Sequence, residues 1–354
     1  MRPRLLTILM LMTVAWTNPP GRSAEPVADA SAIASWIEAL CDNRWEVRED
    51  AAKNLRQAGP AALAALRRAV HSDCPETRQR SIHLIGLIEK EMAFNTMGHT
   101  LIADTYGGRV IEIDKHGKVR WQLKDLDNPV CVQRLENDRT LVAEREGGRV
   151  SIFDRDGKVL WQIKNLGHVW YAQRLDNGHT LITACGPMLF DRGKVIEVDE
   201  NKKVVWEMDQ LDAPRSCQRL PNGHTLIVER RMKRVIELNR RGKLVWKKSQ
   251  LNAPLSAQRL DNGHTLITEW RPARVLEVDG EGKTVWSYSR GLQDVSHAER
   301  LANGHTLITD FGSSRVIQVN RRGNLIWQKQ GLQSPCGAVR LTSPEQPPAE
   351  KDES

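Results

Sequence analysis

Aromatic residues other than tryptophan are scarce in this chain of 354 residues, which has only 4 Phe and 3 Tyr. Long apolar runs are scarce too, since residues 5–16 form the one such stretch, and this excludes a membrane protein with several spans. Hydrophobic residues make up 40% of the chain and charged residues 27%, which allows a large core and excludes global disorder. Against this background the 11 Trp indicate one structural position that is used many times.

The N-terminal segment has the layout of a secretory signal peptide. Arg2 and Arg4 precede the apolar run, and helix breakers follow at residues 18–21. We predict a signal peptide over residues 1–24, with cleavage as late as residue 30. The protein would then be exported, periplasmic or extracellular, and free of the membrane after cleavage. An uncleaved membrane anchor is the alternative. Residues 343–354 are acidic and rich in proline, which predicts a disordered tail.

Six cysteines are scattered at positions 41, 74, 131, 185, 217 and 336, and no two of them form a CxxC motif. The cysteines therefore do not support a zinc or thiol redox motif. Cysteines of an exported chain can pair, but these positions define no recognisable disulfide framework.

Residues 32–92 have a helical pattern. We predict that Asp42-Asn43 caps a first helix, that Gly59-Pro60 ends it and starts a second, and that a third begins near Pro75. Residues 47–52 and 77–82 resemble the core of HEAT repeats. Because fewer than two full repeats form a poor solenoid, we interpret this segment as a small HEAT-like module, packed near or tethered to the rest of the chain.

From residue 97 the chain repeats itself. The string Asn-Gly-His-Thr-Leu-Ile starts at residues 177, 222, 262 and 303, with degenerate copies at 97 and 137. A tryptophan lattice follows the same step: Trp121, Trp161, Trp206, Trp246, Trp286 and Trp327. A step of about 40 residues is that of propeller blades and is too long for ankyrin or tetratricopeptide arrays.

Each repeat contains four strand patterns, A to D, joined by turns, which make one propeller blade. The first repeat lacks strand A, whereas residues 335–342 form a strand A with no B to D after it. We predict that this last strand completes the first blade, because ring closure removes exposed sheet edges. The expected fold is mainly β: a six-bladed β-propeller over residues 97–342, closed by a C-terminal strand and preceded by the helical module.

The repeat, with its Asn-Gly-His-Thr-Leu-Ile string and a later Lys-x-Val-Trp, resembles the PQQ-like (quinoprotein) repeat and the arylsulfotransferase-like propeller. The resemblance covers residues 97–342 and implies the propeller fold. Arylsulfotransferase-like propellers use a histidine nucleophile, for which His168 or His297 would serve, with Arg215 or Arg271 neutralising charge. PQQ-dependent enzymes bind PQQ with calcium, but they typically have eight blades and a vicinal cysteine pair, which this sequence lacks.

The repeated residues have structural interpretations. The lattice tryptophans are expected on strand D, where they pack each blade on its neighbour. The repeated histidines at 99, 179, 224, 264 and 305 lie in separate blades beside turns, too far apart to share a metal ion. Acids that end strand B in five blades face bases that open strand C, so cross-strand ion pairs explain both. A ring of acids that binds a cation is the alternative.

Function is expected where the repeat fails, on the face that carries the D→A and B→C loops. Blade 3 has a longer B→C loop, residues 185–191, and blades 3 and 6 have Val169 and Val295 where the others start strand A with proline. These two blades lie opposite each other in a six-fold ring, and each adds a histidine outside the lattice. The predicted ligand site between them has these candidate residues: His168, Trp170, Tyr171, Arg215, Arg230, Trp270, Arg271 and His297. The alternative is drift of the repeat, filled by ordinary side chains.

No complete catalytic constellation is present in the sequence. We therefore predict an exported, non-enzymatic binding or scaffolding module, with the helical segment as a second contact surface. Its partner would be a protein or a small anionic, aromatic or sugar ligand, and no metal or cofactor is predicted. Lys and Arg recur in the turns of every blade instead of along one stripe, which argues against nucleic acid binding. Ligand identity and oligomeric state stay open.

Overall fold

Two compact units make up the chain, residues 1–92 and 93–354. The computed structural model describes residues 29–186 and 192–341. The predicted signal peptide and acidic tail, and residues 187–191 of the long loop in blade 3, lie outside these ranges. In the described part of the chain, no helix combines the length and the apolar character that a membrane span requires.

The first unit is helical, as the sequence predicts. Its elements are α1 (Ala30–Ala39), α2 (Trp45–Ala58), a 3-10 turn (Gly59–Ala62), α3 (Leu63–Ala69) and α4 (Pro75–Asn95). Leu40, Leu55, Leu66 and Ile85 belong to its buried core.

Two arginines give the HEAT-like stretches the same local structure. Arg48 donates from Nη1 to the carbonyl oxygens of Asp42 and Asn43, at 2.7 and 3.2 Å. Arg78 donates in the same way to the two carbonyls six and five residues before it, at 2.6 and 3.0 Å. Each arginine therefore fastens its helix to the preceding turn, and residues 47–52 and 77–82 are equivalent in structure as well as in sequence.

The N-terminal cap that the sequence predicts for α2 is wrong. A disulfide is present, although the cysteine positions alone did not define any pairing. The Asp42 carboxylate accepts the N–H of Arg44 at 2.8 Å, and α2 begins without a side-chain cap. Cys41 and Cys74, 33 residues apart, form the disulfide. Closing a loop of this length stabilises a small unit by about 3–4 kcal/mol.

The second unit is a six-bladed propeller whose blades are four-stranded antiparallel sheets. In chain order the strands are β1 (Thr100–Asp104), β2 (Arg109–Ile113), β3 (Val119–Leu123), β4 (Pro129–Arg134), β5 (Thr140–Glu144), β6 (Arg149–Phe153), β7 (Val159–Ile163), β8 (His168–Arg174), β9 (Thr180–Cys185), β10 (Arg192–Val198), β11 (Val204–Asp212), β12 (Pro214–Arg219), β13 (Thr225–Glu229), β14 (Arg234–Leu238), β15 (Leu244–Lys248), β16 (Pro254–Arg259), β17 (Thr265–Glu269), β18 (Arg274–Val278), β19 (Thr284–Tyr288), β20 (Val295–Arg300), β21 (Thr306–Asp310), β22 (Arg315–Val319), β23 (Leu325–Lys329) and β24 (Pro335–Arg340). The predicted closure is confirmed, because β24 pairs with β1 in the sheet β24-β1-β2-β3 and places Arg340 opposite Thr100.

The lattice tryptophans lie on the outer strands and join neighbouring blades, as predicted. Trp206 donates from Nε1 to the carbonyl of Arg240 in the next blade at 3.0 Å. Trp327 of blade 6 donates to Lys115 of blade 1 at 2.8 Å, which completes the circle. The arginine that ends the inner strand of the next blade packs over each indole ring, as Arg219 does over Trp206 at 4.7 Å.

Five of these arginines bind a buried side chain of strand C that also anchors the repeated histidine. Glu277 accepts a hydrogen bond from Nη2 of Arg300 at 2.7 Å and lies 2.8 Å from Nδ1 of His264. The five histidine pairs are His99–Glu112, His179–Glu197, His224–Glu237, His264–Glu277 and His305–Gln318. Each histidine is therefore committed to its own blade, which confirms its structural role.

The expected ion pairs between strands B and C are present in five blades. The pairs are Asp104–Arg109, Glu144–Arg149, Glu229–Arg234, Glu269–Arg274 and Asp310–Arg315. Each acid also accepts a backbone N–H from the segment that leads from strand D to strand A, as Glu269 does from Asn252 at 2.6 Å. These bonds support the structural interpretation over a cation-binding ring. Across residues 29–186 and 192–341, no three His, Cys, Asp or Glu groups converge to hold a metal ion.

Candidate functional site

The six inner strands, β4, β8, β12, β16, β20 and β24, line the propeller axis and can be compared position by position. Each ends in the structural arginine. The residue before it is glutamine in blades 2 to 5, and this side chain accepts the N–H of the next arginine, as Gln173 does from Arg219 at 2.9 Å. Blade 6 has Glu299 here and blade 1 has Val339. The positions that repeat therefore build the ring.

Two positions of the same strands vary from blade to blade. Four places before the arginine the residues are Val130, Trp170, Arg215, Leu255, Ser296 and Cys336, no two alike. Three places before it they are Cys131, Tyr171, Ser216, Ser256, His297 and Gly337. The flanking positions repeat from blade to blade, whereas these two positions do not. The variation therefore favours a ligand-binding site over a shared packing role.

These variable residues open into a cavity of about 490 Å³ at the end of the axis, which we call the axial cavity. All six residues of the first set line it, and so do four of the second set. Its rim is formed by residues that follow strand B, namely Tyr106, Arg145, Glu146, Arg230, Trp270 and Phe311. A cavity of this volume is of the size that holds a small molecule.

Seven of the eight predicted site residues line the axial cavity. They are His168, Trp170, Tyr171, Arg215, Arg230, Trp270 and His297. The eighth, Arg271, lies outside it at the rim, with a side chain that is 70% exposed and 3.4 Å from Asp294. It packs over the Trp270 ring at 4.4 Å, so it contributes to the rim and not to the lining.

The two tryptophans of the propeller that lie outside the lattice, Trp170 and Trp270, hold the arginines of the cavity. The guanidinium group of Arg215 lies 3.5 Å from the centroid of the Trp170 ring, and that of Arg145 lies 5.2 Å from it. Arg230 lies 4.5 Å from the centroid of Trp270. Cation–π contacts of this kind fix the position of a guanidinium group. The indoles therefore serve as supports for cations.

Arg215 is the most deeply buried cation of the cavity, with 3% of its surface exposed. Burial lowers its pKa from 12.5 to about 9, and the charges of Arg230 and Arg145 act in the same direction. Burial, and then the charge of Arg271, also lower the pKa of Arg230. Since these guanidinium groups oppose one another's charged form, an anionic group placed among them would stabilise all of them.

His297 and His168 both reach the cavity, but in different environments. Burial lowers the pKa of His297 to about 4, so its imidazole is neutral at pH 7 and can both donate and accept hydrogen bonds. Nε2 of His168 lies 3.2 Å from Oε2 of Glu146. Its Nδ1 is buried, and no described residue bonds to it.

The opposite wall of the cavity carries two aromatic rings. Tyr106 of blade 1 and Phe311 of blade 6 meet edge to face, with ring centroids 5.7 Å apart. Val295 of blade 6 also lines the cavity, as does Asp294, whose carboxylate is paired with Arg271. In a ring of six blades, blade 1 lies opposite blade 4. This wall therefore faces Arg215 and Arg230 across the axis.

A narrower channel of about 220 Å³ continues along the axis below the cavity and shares lining residues with it, among them Tyr171 and His297. Glu299 lies in this channel. Burial raises its pKa from 4.5 to about 7, although its bond from the N–H of Arg340 at 3.1 Å acts in the opposite direction. The channel beneath the cavity is therefore lined by groups that are uncharged in mildly acidic solution.

Sequence reasoning missed Tyr106, Arg145, Ser256, Phe311 and Cys336 as lining residues. It compared loop lengths and histidines, whereas a comparison of the six inner strands at every position shows the variable sites directly. Tyr106 and Phe311 would have followed from the same comparison at the end of strand B.

The fold and the cavity define a six-bladed β-propeller with a pocket at one end of its axis. A PQQ-repeat family model, described as outer membrane protein assembly factor BamB, matches residues 51–186 and 191–350, which is more than half of the chain. The chain belongs to this family, and the resemblance of its repeats to the PQQ-like repeat is confirmed.

Solved structures with the same fold have low sequence identity to this chain. A protein of unknown function from Bacteroides caccae has 18% identity and a TM-score of 0.59, over 68% of this chain and 98% of that one. A streptogramin B lyase has 11% identity and a TM-score of 0.51, over 66% and 80% of the two chains. A functionally unknown protein from Desulfotomaculum acetoxidans has 10% identity and a TM-score of 0.50, over 69% and 98%. These similarities show the fold alone. No curated protein matches the chain.

The described residues do not fit PQQ with calcium, the cofactor from which the repeat takes its name. A guanidinium group already packs on each indole of the cavity, where a flat ring system would stack. Within the described ranges, no cluster of carboxylates offers the oxygen ligands that calcium prefers.

Proposed function

We propose that this protein is an exported binding module that holds a ligand in its axial cavity without converting it. One observation carries the proposal: the residues of the inner strands that differ from blade to blade are the ones that line the cavity. Shared packing needs would favour the same residue in each blade, as the terminal arginines illustrate, whereas a ligand without six-fold symmetry requires different groups around the axis.

Two further observations support export and a binding role. The disulfide between Cys41 and Cys74 suits an oxidising compartment, in agreement with the basic and apolar segment at residues 2–16. The family description names an assembly factor, which is a protein that acts by binding others. Both observations support our proposal that the protein acts in the periplasm or outside the cell.

The binding role can be tested by a thermal-shift screen of the full chain against sugars, organic anions and short peptides. We expect a ligand that raises the melting temperature of the wild type and is recovered chemically unchanged by mass spectrometry. Trp170→Leu removes the support of Arg215 and is expected to weaken binding at least tenfold, by ~1.4 kcal/mol or more. Trp45→Leu, at an exposed tryptophan of the helical unit, is the matched control and should bind like the wild type. Equal binding by Trp170→Leu, or conversion of the ligand, would contradict the proposal.

A histidine nucleophile is the second candidate function, favoured by the neutral state of His297. Only a neutral imidazole has a free electron pair, and His297 reaches the cavity that holds Arg215. An imidazole nitrogen would take the sulfuryl group of an aryl sulfate, release the phenolate, and pass the group to a phenol acceptor. With 4-nitrophenyl sulfate and phenol, the binding module is expected to release no nitrophenolate. Release that disappears in His297→Gln would establish the enzyme instead.

A further inference from the structure

We propose that the ligand of the axial cavity is a small amphipathic oxyanion. Its carboxylate, sulfate or phosphate group would lie between Arg215 and Arg230, and its apolar body would lie against Tyr106 and Phe311. This inference rests on the proposed function and adds the chemical class of the ligand and its orientation.

The anionic end is assigned to blade 4 because both arginines come from that blade and both are held in place. Arg215 is fixed on Trp170 at 3.5 Å, and Arg230 on Trp270 at 4.5 Å. A planar guanidinium group binds two oxygens of one oxyanion, and a group that is already ordered loses little entropy on binding. The charge of Arg230 opposes the charged form of Arg215, so a negative group beside them is favoured over a neutral one.

The other end of the ligand is assigned an apolar body because two aromatic rings lie on the side of the cavity that faces blade 4. The rings of Tyr106 and Phe311 meet edge to face there, and the Asp294 carboxylate of the same side is paired with Arg271. The floor is polar but uncharged: burial raises the pKa of Tyr171 well above 10 and lowers that of His297 to about 4. The floor can thus form hydrogen bonds with a carbonyl or hydroxyl group of the ligand. It offers no positive charge to a second anionic group on the ligand.

The tryptophans of the cavity already have guanidinium groups packed on them, so an aromatic ligand is expected against Tyr106 and Phe311 instead. Arg215 already covers a face of the Trp170 ring. Arg230 and Arg271 both pack on Trp270, at 4.5 and 4.4 Å from its centroid. A sugar stacked on either indole would have to displace a guanidinium group, which disfavours that ligand class here.

Calorimetry on the full chain at pH 7 with a matched set of probes tests the assignment. The set comprises 2-naphthoate, 2-naphthyl sulfate and 2-naphthyl phosphate, which share the body and differ in the anion. It also includes 2-naphthol, which lacks the charge, and acetate, which lacks the body. We expect at least one naphthyl anion to bind at least tenfold more tightly than 2-naphthol and acetate, and the strongest of the three identifies the oxyanion.

Variants locate the two ends of the ligand. Arg230→Gln is expected to weaken the binding of that anion at least tenfold, since hydrogen bonds to charged groups are the strong ones. The affinity of this variant for 2-naphthol should stay within about twofold of the wild-type value. Arg241→Gln removes the same charge from an exposed turn and should bind like the wild type. Phe311→Ala is expected to weaken the binding of the naphthyl anions several-fold and to leave the binding of acetate unchanged.

The outcomes separate this inference from the function on which it rests. Binding of 2-naphthol as tight as that of the anions, equal affinities in Arg230→Gln and Arg241→Gln, or no binding of any naphthyl anion would overturn the ligand class. In each of those cases a sugar or peptide from the thermal-shift screen that depends on Trp170 would leave the binding function standing. If no ligand in either experiment depends on Trp170, both fail.

Discussion

Replacing Glu277 with alanine is expected to lower the melting temperature of the propeller by about 10 °C. The Glu277 carboxylate is 1% exposed and binds His264, Arg300 and Arg321, and the Arg300 side chain is only 7% exposed. Removing the carboxylate leaves a buried guanidinium group without its counter-charge, which costs about 3–5 kcal/mol. In a unit of this size each kcal/mol shifts the melting temperature by about 2–4 °C.

Two matched variants make this result specific, with scanning calorimetry as the measurement. Glu277→Gln should cost much less, because blade 6 naturally has Gln318 at this position and uses it to bind His305 and Arg340. Glu281→Ala removes the same charge from an exposed turn of the same blade and should change stability by less than about 0.5 kcal/mol. A loss in Glu277→Ala no greater than that in Glu281→Ala would show that this network does not hold the blades together.

Replacing Glu299 with glutamine is expected to stabilise the propeller above pH 7 and to have little effect near pH 4. The raised pKa means that the folded protein holds this proton more tightly than the unfolded chain does. The free energy of unfolding therefore falls as the pH rises from about 4.5 to about 7, and it stays lower above that range. These two pKa values differ by roughly 2.5, which at ~1.4 kcal/mol per pH unit gives an upper limit of about 3.5 kcal/mol.

Thermal unfolding of wild type and variant at pH 5, 6, 7 and 8 tests this difference. The ionisable groups around the carboxylate are Arg340 from β24, Tyr171 across the channel and His297 on the same strand. Gln258→Glu, at the equivalent position of blade 5, is the reciprocal variant and should lose stability over the same pH range. A stability difference between the wild type and Glu299→Gln that does not change with pH would refute this account of Glu299.

The sequence was sufficient for the fold because the fold is periodic. A step of about 40 residues, six lattice tryptophans and an unpaired strand at residues 335–342 determine the number of blades and the closure. The functions of Trp206 and His264 also follow from the repeat, since a residue present in nearly every blade must serve what the blades share. The cap expected at Asp42-Asn43 was wrong because the Asp42 carboxylate bonds to Arg44 instead.

The site could be predicted only in part. Irregular blades pointed to His168, Trp170 and His297, which line the cavity. The stacking of Arg215 on Trp170 depends on side-chain positions that no spacing in the sequence encodes. Arg145 is adjacent to a repeated acid, so its contribution to the cavity becomes visible only when the turns converge on the axis.

Closure by β24 also constrains how this protein can be made. Strand β1 begins at Thr100. The residue that pairs with Thr100 is Arg340 of β24, which is synthesised about 240 residues later. Until then the first blade has three strands and an open edge, and Trp327 has not yet reached the turn at Lys115. Contacts between residues so distant in sequence form slowly. The ring therefore closes only after the last blade has been synthesised, and until then the three strands of the first blade lack the partner that protects their edge.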